Sequence, residues 1–266
     1  MISVETHPTL AEAARALGPD AIFLGGGTLV MRALNYGENA FSRIVRTTDS
    51  STRRIAVTGD RVEIGAQVTM RDVLSNRDTD FLAPVARSVG GPAVRNMATV
   101  GGNLFADHPY GDFAVALLAL DGRVRMADGS EDDLAAFLAN RRTRGLVASV
   151  SIARPRGEEF RWRKVSRVKP KGVSVMSIAA WLPGGAGRVS EPRLAFGAMA
   201  ETPRRAAGAE RALAGAALTS EGIRPALEAL KSDFSPADDA LASGWYRAEV
   251  APVHLRRLLL NEEPTR

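Results

Sequence analysis

The sequence predicts an α+β fold of two domains, and three observations carry that expectation. The 266-residue chain is long enough to bury more than one core. Its first half reads as short apolar strands that run into glycine-rich turns and brief helices, whereas its second half reads as paired strands followed by Ala-rich helices. Between the two, Pro155, Gly157 and a cluster of charges mark a boundary near 155–160.

Taken in order, Thr9 to Leu17 is a short helix with Thr9 as N-cap and Gly18-Pro19 as its stop. Ala21 to Leu24 is a strand that feeds Gly25-Gly26-Gly27-Thr28, after which Leu29 to Leu34 turns helical. Ile44 to Arg46 and Ile55 to Val57 are brief strands. Val62 to Ile64 is another, entering Gly65-Ala66-Gln67-Val68-Thr69 and then a helix around Met70 to Leu74. Phe81 to Val89 is helical and closed by Gly90-Gly91-Pro92, and Val94 to Asn103 is dense in small residues and turn formers. Gly111 to Leu120 is an apolar helix or buried segment. Val124 to Met126 and Leu146 to Ile152 read as strands, and Glu131-Asp132-Asp133 stabilises the start of an apolar helix through its dipole. In the second half Arg161 to Val168 pairs with Val173 to Leu182, a turn spans Pro183 to Gly187, and Arg193 to Met199 is a further strand. Ala206 to Ala217, Ile223 to Lys231 and the amphipathic Trp245 to Leu260 are helices. No repeat of solenoid period is visible.

Composition narrows the chemistry. There is no cysteine, which removes disulfides, thiolate zinc, a cysteine nucleophile and cysteine-ligated iron–sulfur clusters from this chain. Only His7, His108 and His254 are available for a histidine metal site. A protein of this make-up that handles electrons needs an organic cofactor. The net charge of +5 comes from 31 Arg and 4 Lys, a bias better explained by a GC-rich coding genome than by nucleic acid binding. The basic stretch from Arg154 to Lys171 holds only Phe160 and Trp162 for base stacking, so it reads as a solvated face or an interface with an acidic partner. No basic segment followed by an apolar run opens the sequence, and no window reaches the roughly 18 apolar residues of a membrane span. The chain reads as soluble and cytoplasmic.

Two glycine loops stand out, Gly25-Gly26-Gly27-Thr28-Leu29 and Thr99-Val100-Gly101-Gly102-Asn103. Successive glycines let backbone N–H groups approach a phosphate with no Cβ in the way. Thr28, Thr99 and Asn103 add side-chain donors, so the pair suits a diphosphate, although either loop alone is equally a tight turn. A dinucleotide fingerprint fails, because Val30 stands where its third small residue belongs. No Lys follows the first loop, which excludes a Walker A site.

The order GGGTL (25–29), IGAQVTMRDVL (64–74), VGGPAVRNMATVGGN (89–103) and Asp112 resembles the FAD-binding subunit of the molybdenum hydroxylases, the family of the xanthine dehydrogenase and carbon monoxide dehydrogenase flavoproteins. The resemblance spans essentially the whole chain, and the string Arg95 to Asn103 is its most specific part. It implies a two-subdomain FAD-binding fold of the vanillyl-alcohol-oxidase/PCMH type over 1–158 (subdomains of about 1–55 and 56–158), gripping the cofactor between subdomains, then a small α+β C-terminal domain over 159–266. By the resemblance, Leu24, Gly25, Gly26, Gly27, Thr28 and Leu29 form one pyrophosphate loop, and Thr99, Val100, Gly101, Gly102 and Asn103 the other. Asp112 matches the acid near the ribityl or ribose hydroxyls, Val89 a position close to the flavin ring, and Lys164 a basic position that reaches the cofactor. The resemblance also implies an electron-transfer role. FAD would be held here, while the molybdenum cofactor and 2Fe-2S clusters would sit on separate molybdenum and iron–sulfur subunits of a heterotrimer or its dimer. No metal site and no catalytic side chain is expected on this chain.

The sequence departs from the family at three places. Gly27 replaces a polar side chain of relatives, Gly172 stands where an aromatic or aliphatic group shields the ring, and Ser174 stands where one branch carries Lys. Asp107 and His108 either resemble an acid/base pair or simply form the turn after the second loop. Tyr110 stacks on the flavin or caps that turn, and Trp245 and Tyr246 read as helix-packing or interface residues. A self-contained flavin oxidase or reductase and a cofactor-free binding module are the competing readings.

Overall fold

The computed structural model describes residues 2–37, 40–168, 172–184 and 187–262. Gly185 and Ala186 of the expected 183–187 turn, and Lys169 and Lys171 of the basic stretch, lie outside the described residues. The elements begin with β1 (Ser3–His7), α1 (Leu10–Ala16), β2 (Ala21–Phe23), α2 (Val30–Asn35), β3 (Arg43–Thr47), β4 (Ile55–Thr58) and β5 (Arg61–Gly65). Helices α3 (Met70–Ser75), α4 (Ala83–Ser88), α5 (Pro92–Arg95), α6 (Val100–Phe105) and α7 (Asp112–Ala119) follow. Then come β6 (Arg123–Met126), β7 (Glu131–Asp133), α8 (Leu134–Asn140), β8 (Val147–Ala153), β9 (Phe160–Ser166), β10 (Ser174–Trp181), β11 (Arg193–Gly197) and β12 (Arg204–Arg205). The chain closes with α9 (Ala207–Leu213), α10 (Arg224–Leu230) and α11 (Gly244–Leu259).

These elements form two compact units that interleave in sequence. The first comprises Met1–Ala106 and Gly122–Ile152, and the second Asp107–Asp121 and Ala153–Arg266. The first unit holds a parallel three-stranded sheet, β1-β3-β2, and most of a five-stranded sheet in the order β4-β5-β8-β6-β7. Helix α1 starts where Thr9 Oγ1 accepts the Glu12 amide, and its buried Leu10 and Ala13 pack with Val45 and Leu146. Thr69 and Asp72 form a reciprocal capping box on α3, and Asp133 caps α8 by accepting from the amides of Ala135 and Ala136.

The second unit is an antiparallel sheet, β12-β11-β10-β9, covered on both faces. Strand alternation sends Met176, Ile178, Ala180, Leu182, Leu194 and Phe196 into one core with residues of α9, α10 and α11. The intervening positions Ser177, Ala179, Ala195 and Gly197 are small, and α7 lies against β10 and β11. An added Cβ at Gly197 would come within 2.8 Å of Val115 Cγ2, so the absent side chain sets the approach of that helix. Every residue of α7 is buried, as expected of a helix enclosed by its surroundings.

Candidate functional site: two glycine loops and an Asp112–Lys164 pair

The two glycine loops meet within the first unit. Leu24 extends β2 by donating its amide to the Val45 carbonyl at 2.8 Å, and the chain then turns through Gly25 and Gly26. A Cβ on Gly26 would overlap the Met97 carbonyl oxygen and lie 2.5 Å from its carbon. Backbone contact this close is available only to glycine. A Cβ on Gly25 would lie 3.1 Å from Thr99 Oγ1 and one on Gly102 3.0 Å from the same atom, so both flank the Thr99 hydroxyl. Gly25 and Gly102 are themselves exposed. Gly27 adopts φ +72°, a conformation that disfavours side chains there. Half-buried Thr28 and Leu29 lead into α2, with Leu29 at its N-cap position.

The loops are not equivalent donors, which the glycine pattern alone does not reveal. In the second loop the Val100 amide donates to Val68 O at 2.9 Å, Gly101 to Ala66 O at 2.8 Å and Gly102 to Thr99 Oγ1 at 3.0 Å. The second loop is therefore the first turn of α6, capped by Thr99, and its amides are already paired. The amides of Gly25, Gly26 and Gly27 carry no hydrogen bond among the described residues. Gly101 is buried, and a Cβ there would press on Ala66 at 3.0 Å, so its smallness serves packing. Asn103, 7% exposed, spends its side-chain amide on the Thr99 carbonyl at 2.9 Å. The first loop offers open backbone donors, while the second offers a braced surface at Gly102 beside the Thr99 hydroxyl. A diphosphate needs such a Cβ-free cradle and such donors; the residues fit it.

Val89 is half-buried at the C-cap of α4, and its amide donates to Ala86 O. Arg95, which begins the most specific sequence string, turns back to donate to the carbonyls of Arg87 and Gly90 and so fixes that turn.

Asp112 and Lys164 come together in the second unit. Lys164 Nζ lies 2.9 Å from Asp112 Oδ2, with side chains only 14% and 9% exposed. Ser174 Oγ lies 2.7 Å from each carboxylate oxygen. A shielded pair of this kind is held by geometry and hydrogen bonding more firmly than a surface pair. Sequence reading missed the role of Ser174, noting it only as a departure. Asp107 and His108 do not pair with each other. Asp107 O accepts from Tyr110 N in the turn, whereas His108 Nε2 lies 2.7 Å from Asp239 Oδ2, 131 residues away. Trp245 is 73% exposed and Tyr246 42%, so neither is packed into its own unit.

The site geometry coincides with an extensive family match. Residues 1–152 match the model described as the FAD binding domain in molybdopterin dehydrogenase, and residues 161–261 match the CO dehydrogenase flavoprotein C-terminal domain. This chain belongs to that flavoprotein family. It is 28% identical over 204 residues to the glyceraldehyde dehydrogenase medium chain of Sulfolobus acidocaldarius, covering 72% of each chain. It is 26% identical over 280 residues to the xanthine dehydrogenase FAD-binding subunit of Escherichia coli O157:H7, covering 94% of this chain and 92% of that one. Its fold superposes on a chain of carbon monoxide dehydrogenase from Hydrogenophaga pseudoflava with a TM-score of 0.85 at 22% identity, covering 97% and 96% of the two chains. The flavoprotein is thus an FAD-binding oxidoreductase subunit of the molybdenum hydroxylase family. None of its described helices is long and apolar enough to cross a membrane.

Proposed function

We propose that the flavoprotein is the electron-transfer subunit of a heteromeric molybdenum-containing hydroxylase or dehydrogenase. It takes electrons from an iron–sulfur subunit and passes them to an external acceptor. The observation that carries this reading is the match of both family models, in order, along nearly the whole chain, on a sequence with no cysteine to ligate a cluster of its own. Iron–sulfur ligands and the molybdenum cofactor then belong to partner chains, in a heterotrimer or its dimer in the cytoplasm.

Within this reading FAD, when bound, supplies redox chemistry that no side chain here can supply. The open amides of Gly25, Gly26 and Gly27 would hold the diphosphate, with the Thr99 hydroxyl and the bare Gly102 surface beside it. Thr28, Leu24, Leu29, Val100, Gly101 and Asn103 shape those loops. Asp112 would accept from sugar-chain hydroxyls, a role suited to a carboxylate with several lone pairs, while Lys164, 2.9 Å from its Oδ2, holds it in place. Val89 would lie against the ring.

Purification of the native complex tests the reading. The chain should copurify with an iron–sulfur protein and a molybdenum-containing subunit, and substrate should bleach the flavin absorbance only in the complex. Substrate turnover by the isolated chain would contradict it and favour a self-contained oxidase.

A further inference from the structure

Arg247 is the largest fully buried side chain among the described residues, only 1% exposed. Its guanidinium saturates four partners. Nε donates to Val175 O at 2.9 Å, Nη1 to the carbonyls of Ala237 and Ala242, and Nη2 to Asp239 Oδ2 at 2.7 Å. Asp239 also accepts the amides of Leu241 and Ala242 and lies against His108. Burial alone would raise the Asp239 carboxyl, yet the hydrogen bonds from Arg247, the two amides and His108 overcome it and hold the group below the usual carboxylate range.

The Val175 contact falls at a β-bulge. Ser174 pairs with Ser166, but Met176 pairs with Val165 and Ser177 with Lys164, so the register slips between Ser174 and Met176. Alternation alone would give Ser174 and Met176 the same face, and Met176 points into the core of α9 to α11. The slip instead puts Ser174 on the face of Lys164, where its hydroxyl reaches Asp112. Arg247 therefore acts at both ends of one short segment. Through Asp239 it holds His108, and through the bulge it aims Ser174 at Asp112, with Tyr110 and a left-handed Gly111 (φ +87°) between.

We infer that Arg247 and Asp239, with His108, form a clasp that positions the 108–112 segment, and with it the Asp112 carboxylate, for FAD. Arg247, Asp239, His108 and Ser174 are positioning residues that act through Asp112. The inference rests on the assignment of Asp112 as an FAD contact, so the experiment separates the two.

FAD affinity of the full chain is measured by fluorescence titration for His108→Ala, His108→Gln, Asp239→Asn and Asp112→Asn, with thermal melting as the folding control. His108 is a partly exposed surface residue, and its loss should leave melting nearly unchanged. Loss of one charge-assisted contact should weaken FAD binding about five- to tenfold in His108→Ala and at least as much in Asp239→Asn. His108→Gln restores an N–H donor and should recover most of it. Because the effect runs through Asp112, His108→Ala should cost nothing further in an Asp112→Asn background. Wild-type affinity in His108→Ala and Asp239→Asn, with Asp112→Asn weakened, overturns the clasp, as does a loss that persists undiminished in the double variant. Wild-type affinity in Asp112→Asn instead refutes the contact assignment, and the inference with it.

Discussion

Replacing Gly26 by Ala should separate the two glycine loops. The new Cβ would overlap the Met97 carbonyl oxygen and lie 2.5 Å from its carbon, where ordinary contact begins at 3.4 Å. The obstacle is backbone, so no rotamer relieves it, and the loops must part by about an ångström or more. Met97 is followed by Ala98 and Thr99, whose positions are tied down by Met70 N donating to Ala98 O and by the Thr99 cap of α6. Forced displacement in packed surroundings costs about 2–3 kcal/mol, which lowers Tm by about 5–10 °C for a domain of this size. FAD affinity should fall roughly tenfold or more, because the donors of the first loop no longer face the Gly102 surface at the right spacing. Gly145→Ala is the matched control: that residue is exposed, has no positive φ, and its Cβ would meet nothing within 4 Å. Circular dichroism melts and FAD titrations of both variants decide the matter. A Gly26→Ala protein that melts and binds FAD like Gly145→Ala would refute the close approach of the loops.

Three further outcomes follow from other parts of the structure. Thr99→Val removes the hydroxyl that accepts the Gly102 amide, and should cost about 1 kcal/mol of stability together with weaker FAD binding; an unchanged melt would show that the cap contributes nothing. Glu210, 7% exposed, accepts both the Leu194 amide at 2.7 Å and the Arg205 guanidinium, so Glu210→Ala should destabilise the chain by about 2–3 kcal/mol in urea unfolding, and a loss below the measurement error would contradict that ion pair. His254 is held neutral by burial first and then by the nearby Arg163 and Arg257 charges, which push its pKa down to about 4. The unfolded chain therefore takes up that proton first, so stability is full above about pH 6.5 and is lost as pH falls towards 4. After discounting for partial solvent access the effect is about 1–2 kcal/mol; His254→Gln should flatten that part of the stability profile, and an unchanged slope would show that another group carries it.

Local signals were legible where one segment decides its own structure. Thr9 announced the N-cap of α1, Arg161 to Val168 and Val173 to Leu182 announced the β9–β10 pair, and Glu131-Asp132-Asp133 announced the start of α8, although those three residues also form β7 and only Asp133 caps the helix. Elements decided by distant partners were not. Ser3–His7 is a polar edge strand whose pattern carries little apolar alternation, and it forms because β3 pairs with it. Gly101 and Gly102 read as turn residues because glycine disfavours helices, yet the Thr99 cap and the bonds to Ala66 and Val68 carry them into α6. The apolar character of Gly111 to Leu120, which contains α7, was evident, but not its place against β10 and β11, strands more than 50 residues onward. The same separation hid Ser174: its link to Asp112 depends on a bulge that no local pattern encodes. Glycine spacing revealed both loops, but only the hydrogen bonds distinguish the loop with open amides from the one whose amides are paired.

Flavin content of the purified full-length chain is the most direct test of the central claim. The chain should be yellow, and denaturation should release FAD, identified by mass, at close to one per chain. A folded chain with wild-type melting that is colourless and takes up no FAD on reconstitution would contradict the assignment of this protein as a flavoprotein subunit.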